Sequence, residues 1–136
     1  MRTVKIKFLK DVLTLFDFKS VSDGYNEYIL LSSCEIENIC DCVEDKTAFE
    51  ALNNHIHLLS RIRKRQLGEI YELSEKLGKL LISVLHSQFP DKHFVVFVTV
   101  DSEVTVRFHQ KWSDEPWYYI TDDENAYQSK VFCFDC

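Results

Sequence analysis

Glycine and proline are scarce in this chain, three and two among 136 residues. It is therefore no collagen-like repeat and no Pro/Gly-rich linker, and a hydrophobic share of 46% argues against disorder. No apolar run reaches the roughly 18 residues that a transmembrane helix needs. The start, Met1-Arg-Thr-Val-Lys-Ile-Lys-Phe-Leu-Lys10, lacks the long apolar stretch and the small-residue cleavage site of a secretory signal. Also missing are G-x-S-x-G, a P-loop, H-E-x-x-H and the dinucleotide fingerprint. These absences set the expectation of a cytoplasmic single domain spanning 1–136, with no catalytic residues and no cofactor. At this length a chain buries roughly two thirds of its unfolded surface, enough for a core without disulfides.

Five cysteines occur: Cys34, Cys40, Cys42, Cys133 and Cys136. An odd count without a signal peptide points to reduced thiols. Cys40-Asp-Cys42 and Cys133-Phe-Asp-Cys136 would give zinc four thiolates if they met, but neither pair sits in a glycine-rich knuckle. Cys133 alternates with Phe132 and Phe134, as a strand residue does. His55 and His57 fall within an expected helix, where i and i+2 diverge, so joint ligation is not expected. The metal expectation is none.

Acid outweighs base, 22 residues to 16, for a net charge of −6. Such a field repels nucleic acid and anionic membranes and attracts basic partners. The one basic cluster, Arg61-Ile-Arg-Lys-Arg65, reads as the solvated end of a helix, where cations complement the dipole.

The pattern along the chain places α-helical and β periods in separate regions. Arg2–Phe8 alternates, with Val4, Ile6 and Phe8 on one side, and reads as a half-buried strand or extended lead-in. Residues 9–43 show no clear period. Ser22-Asp-Gly24 marks a turn, and Tyr25–Leu31 fits a strand or a helix equally. Thr47-Ala-Phe-Glu50 has the form of a capping box, and Phe49, Leu52, Ile56, Leu59 and Ile62 then recur at helical spacing. A helix over about 47–62 is predicted. Leu67, Ile70, Leu77, Leu80, Leu81, Val84 and Leu85 form a second stripe, predicting a helix over 67–88 that ends before Phe89-Pro90. After Pro90 the period becomes two. His93–Val100 and Glu103–Gln110 read as an antiparallel hairpin turning at Asp101-Ser102, the first strand central. Trp117–Ile120 and Val131–Phe134 fit further short strands. The expected class is α+β, two central helices packed on an antiparallel sheet formed largely by the C-terminal hairpin region.

The densest chemistry lies between His109 and Glu124. Sixteen residues there hold both tryptophans, two tyrosines and five carboxylates. Acids beside large rings make poor core and good contact surface. Trp112, Asp114, Glu115, Trp117, Tyr118, Asp122, Asp123 and Glu124 are therefore the expected partner-binding residues. The alternative is that Trp112 and Trp117 close the core while the acids solubilise it. The acids lack the spacing and glycine of a calcium loop. His109 beside them carries the rival reading, a small hydrolase or nuclease with a histidine base, although a surface hydrogen-bonding histidine is the preferred reading.

From Gln88-Phe-Pro-Asp-Lys-His-Phe94 through Val106-Arg-Phe-His-Gln-Lys-Trp112 to Glu115-Pro-Trp-Tyr-Tyr119, the chain resembles the C-terminal part of small bacterial immunity proteins. These accompany toxins of contact-dependent inhibition and related polymorphic toxin systems. The likeness covers about a quarter of the chain, and the segment from Cys34 to Cys42 has no counterpart in it. It implies a cytosolic, non-enzymatic protein that binds and neutralises a toxin domain, a nuclease with a basic cleft foremost. A carboxylate-rich surface would stand in for the phosphate backbone and speed association. Direct contact with nucleic acid or membrane is not expected. An interaction adaptor without a toxin partner is the remaining alternative.

Overall fold

The structure is a computed structural model describing residues 2–39, 41–119 and 130–136. Its elements run α1 (Arg2–Thr14), β1 (Phe18–Ser22), β2 (Glu27–Leu31), α2 (Lys46–Asn53), β3 (His55–Ser60), a 3-10 turn (Lys64–Gln66), α3 (Leu67–Gln88), β4 (Phe94–Val100), β5 (Glu103–Gln110) and β6 (Lys130–Asp135). The strands form a two-stranded sheet, β1-β2, and a four-stranded sheet in the order β3-β5-β4-β6. Every pairing is antiparallel.

The expected hairpin is present, with Phe94 opposite Gln110 and Val100 opposite Val104. β4 is central, and its run Phe94–Phe97 is fully buried on both faces. α3 matches its expected bounds and buries Ile70, Ser74, Gly78, Leu81 and Leu85 at helical spacing. Gly78 is required by packing: a Cβ there would overlap the ring of Phe134 on β6. Leu80, placed on the inward stripe by the sequence, is 54% exposed. One core joins α3, β4 and β5 through Leu81, Leu85, Val96, Val98, Val106 and Phe108.

β2 explains why its stretch resists assignment. Ile29 and Leu31 enter the main core, whereas Tyr28 and Leu30 enter a second cluster with Val21, Phe49 and Trp112. A strand buried on both faces reads as a continuous apolar run, without a polar face to reveal its period. The preceding turn does form. Gly24 has φ +93°, and the Asp23 carboxylate accepts the Tyr25 and Asn26 amides at 2.8 Å each. The Tyr28 hydroxyl donates to the same carboxylate at 2.8 Å. Hydrogen bonds, the Asn26 amide's foremost, hold the Asp23 carboxyl well below its ordinary range.

Five expectations are corrected. Arg2–Phe8 is helical: the alternation of seven residues is the start of a longer stripe in which Phe8, Val12 and Leu15 recur at i, i+4 and i+7. The helix expected over 47–62 ends at Asn53, and His55–Ser60 is strand β3 on the edge of the larger sheet. Asn54 is the C-cap: its backbone N–H makes the last helical bond, to Glu50 O at 2.7 Å, its φ and ψ leave the helical region at −104° and 62°, and its side chain bonds β2. Beyond it Ile56 and Leu58 alternate into the core. His55 and His57 therefore share one sheet face, ring centroids 5.3 Å apart, rather than diverging on a helix. Arg61–Arg65 follows a strand, with Arg61 at φ +57°, so it complements no helix C-terminus. Residue 117 is irregular and 118–119 bend, so none is strand, and Ile120 lies outside the described residues. No helix among the described residues is long and apolar enough to cross a membrane.

Candidate functional site

The site is built on the short helix α2, which buries polar side chains. Thr47, Glu50 and Ala51 face inward, with Asn54 one turn further along. They meet the free edge of β2. Ile29 N donates to Glu50 Oε2 at 3.0 Å, and Leu31 N donates to Asn54 Oδ1 at 2.9 Å. Asn54 Nδ2 returns a bond to Ile29 O at 2.8 Å. Two side chains at i and i+4 thus replace the strand that would otherwise cover that edge.

Glu50 is fully buried and is no part of a capping box. Beyond Ile29 N it accepts from Gln110 N at 2.9 Å, Gln110 Nε2 at 2.8 Å and Trp112 Nε1 at 2.8 Å. Burial pushes its carboxyl up to about 7, against the pull of these donors, which favour the charged form. Gln110 Nε2 also donates to Glu27 O at 2.9 Å. One carboxylate therefore fastens α2, β2, the end of β5 and the first residues of the aromatic-acidic segment.

The helix is capped from elsewhere. Asp45 Oδ1 accepts from Ala48 N at 2.9 Å. Glu115 accepts from Lys46 N at 3.0 Å and Thr47 N at 2.6 Å. A carboxylate there satisfies amides that have no partner within the helix and lies favourably in its dipole. Burial raises the Glu115 carboxyl, but bonds from Thr47 and Lys46 outweigh it and hold the group below its ordinary value. Lys46 Nζ lies 2.9 Å from Asp114 and 5.5 Å from the Trp112 ring centroid. Its bond to Asp114 holds that carboxyl low.

The expected contact residues thus divide by environment. Trp112 packs at a tilt against Tyr28, ring centroids 5.5 Å apart, and donates into the Glu50 network, closing the second cluster. Glu115 caps α2 and Asp114 pairs with Lys46. Trp117 is 36% exposed, with Lys111 Nζ 5.6 Å from its ring. The Tyr118 ring covers the Arg107 guanidinium at 4.8 Å. Glu115, Trp117 and Tyr118 line one groove of about 540 Å³ together with Glu44 and Asp45. Those two acids escaped the sequence reading; their signal was an adjacent acid pair directly before a helix start. Asp122, Asp123 and Glu124 lie outside the described residues.

His109 is buried, not on the surface as one reading of the sequence had it. Its Nδ1 lies 2.7 Å from Gln110 O, and its Nε2 accepts from Tyr118 N at 3.1 Å. Those partners assign the neutral Nδ1–H tautomer. Burial holds its pKa below the ordinary histidine value. His57 Nδ1 lies 3.0 Å from Glu103 and 3.0 Å from Thr105 Oγ1. Cys133 is half-buried on β6, and burial pushes its thiol up. Among the described residues no three His, Cys, Asp or Glu side chains converge as a metal site.

Residues 7–136 match the Uncharacterized protein PM0498 family, and the chain belongs to it. No curated protein and no solved structure matches the chain.

Proposed function

We propose that this family member is a binding protein that neutralises a toxin domain, a nuclease with a basic cleft, through the groove between the start of α2 and residues 115–118. One observation carries the reading: Trp117 stands exposed at a groove whose other lining includes the carboxylates of Glu44, Asp45 and Glu115. A large rigid ring beside fixed acids suits a partner presenting lysine or arginine. Asp114 sits beside this groove, and Asp122, Asp123 and Glu124 extend the acidic segment in sequence and supply steering charge. Trp112 and Tyr118 contribute by holding the segment in place, Trp112 through Glu50 and Tyr118 through His109 and Arg107.

The state of His109 supports binding over hydrolysis. One ring nitrogen faces a carbonyl and the other accepts an amide, so neither is free to take a substrate proton. The test is binding and growth rescue against the C-terminal domain of a toxin-like protein encoded beside this gene. Trp117→Ala should weaken binding by about 2 kcal/mol through faster dissociation, leaving the melting temperature unchanged. Reversing Asp122, Asp123 and Glu124 should slow association and flatten its salt dependence. Unchanged binding in both variants, or no binding to any such domain, would sink the reading.

A further inference from the structure

A helix over 47–62 would send His55 and His57 to opposite sides. Strand β3 instead places both on the sheet face opposite Ile56 and Leu58, which enter the core. Their ring centroids lie 5.3 Å apart. His57 is exposed and His55 half-buried, so the pair is reached from solvent. Both rings are oriented through the same nitrogen. His55 Nδ1 lies 2.9 Å from Leu52 O. His57 Nδ1 lies 3.0 Å from the Glu103 carboxylate and 3.0 Å from Thr105 Oγ1. A carbonyl and a carboxylate only accept, so each Nδ1 carries a proton, and in the neutral ring each Nε2 keeps a bare lone pair. Metal-ligating histidines are held in this way: the far nitrogen donates to a carbonyl or carboxylate, which fixes the tautomer and raises the basicity of the ligating nitrogen. The spacing suits the same end, since a tetrahedral ion about 2.0–2.1 Å from each Nε2 sets two ring centroids about 5 Å apart.

Burial and the neighbouring Arg107 guanidinium hold the His55 imidazole below its ordinary value, so at neutral pH protons compete little for that nitrogen. Arg107, opposite His55 in the β3–β5 register, also repels a cation. Its guanidinium is engaged by Ala51 O and the Tyr118 ring, and the Glu103 carboxylate against His57 offsets its charge. Neutral imidazoles suit zinc, nickel and copper, whereas magnesium and calcium prefer oxygen donors. A structural zinc takes four protein ligands. Two leave the remaining positions to water or to a donor from another molecule, which makes the ion exchangeable.

We propose that His55 and His57 form a two-histidine site for a divalent transition metal, zinc foremost, ligated through Nε2 of each ring. The site uses no residue that lines the groove at Trp117, so it stands or falls independently of the toxin-binding reading. The test titrates zinc chloride alone into the full reduced chain at neutral pH, followed by calorimetry and by NMR of the imidazole nitrogens. Zinc should shift Nε2 of His55 and of His57 together. His55→Ala and His57→Ala should each weaken zinc binding about tenfold or more with an unchanged circular dichroism spectrum. His57 is exposed, so its variant reads the site even if loss of His55 disturbs the fold. Magnesium should shift neither ring. Thiolates also bind zinc, so Cys42→Ser and Cys133→Ser serve as controls and should leave the imidazole shifts in place. Zinc that binds without moving either imidazole, binding indifferent to both histidine variants, or imidazole shifts lost with either cysteine variant would overturn the proposal. So would equal shifts with magnesium, since the rings would then be sensing charge and not ligating the ion.

Discussion

α2 and α3 both present one inward stripe at helical spacing, yet the stripes are chemically opposite. α3 lays leucines on the face of a sheet, where the central strand β4 is paired on both sides, with β5 and β6. α2 lays Glu50 and Asn54 toward the edge of β2, where amides and a carbonyl lack strand partners. The face of a sheet asks for apolar area, whereas its edge asks for hydrogen-bonding groups. The inward side of a helix is therefore defined by what it meets, and apolar periodicity finds it only in the first case.

The largest expected effect tests α2. Glu50→Ala removes the acceptor of four donors, the buried Ile29 N and Gln110 N among them, while Gln110 Nε2 keeps Glu27 O; each group left unsatisfied costs roughly 1–3 kcal/mol. A loss of about 4 kcal/mol or more should appear in urea unfolding, and a loss under about 2 kcal/mol would mean that the polar stripe does not hold this region together. Leu85→Ala on α3 should cost about 3 kcal/mol, the transfer and cavity cost of a buried leucine; if it costs more than Glu50→Ala, the contrast between the helices fails.

pH separates the two helices more sharply, because α3 buries no ionisable group. The Glu50 carboxyl titrates at about 7 when folded, against an ordinary 4.5. Between those values the native state binds more protons than the unfolded state, so stability falls as pH rises. The contribution is full below about 4.5 and lost through about 7, for a total of roughly 3 kcal/mol at 1.36 kcal/mol per unit. His109, held low by burial, acts in the opposite sense, its contribution being lost as pH falls below the ordinary histidine range. The difference between wild type and Glu50→Gln, followed by urea midpoints from pH 4.5 to 8, isolates Glu50. A flat difference would show that its donors keep it charged throughout.

The smallest effect belongs to α3. Gly78→Ala improves helix propensity by about 1 kcal/mol but drives a methyl into Phe134. A net loss of about 1 kcal/mol is expected, recovered by combining it with Phe134→Leu. Stabilisation by the single substitution would mean that the α3–β6 contact yields.

The sequence by itself determined α3, the β4–β5 hairpin and the Ser22–Gly24 turn, because each rests on local periodicity or on a residue that sets its own backbone. It also singled out the aromatic-acidic segment by composition. It misplaced Leu52, read as core and 55% exposed, because the buried positions of α2 are polar. Only the tertiary structure showed that the helix expected over 47–62 stops at Asn53, where the side chain of the next residue, Asn54, bonds β2 from 25 residues earlier. It alone separated Trp112 and Glu115, which hold the fold, from Trp117, which faces outward. Burial and capping depend on which distant backbone groups need partners, and that demand exists only once the elements have met.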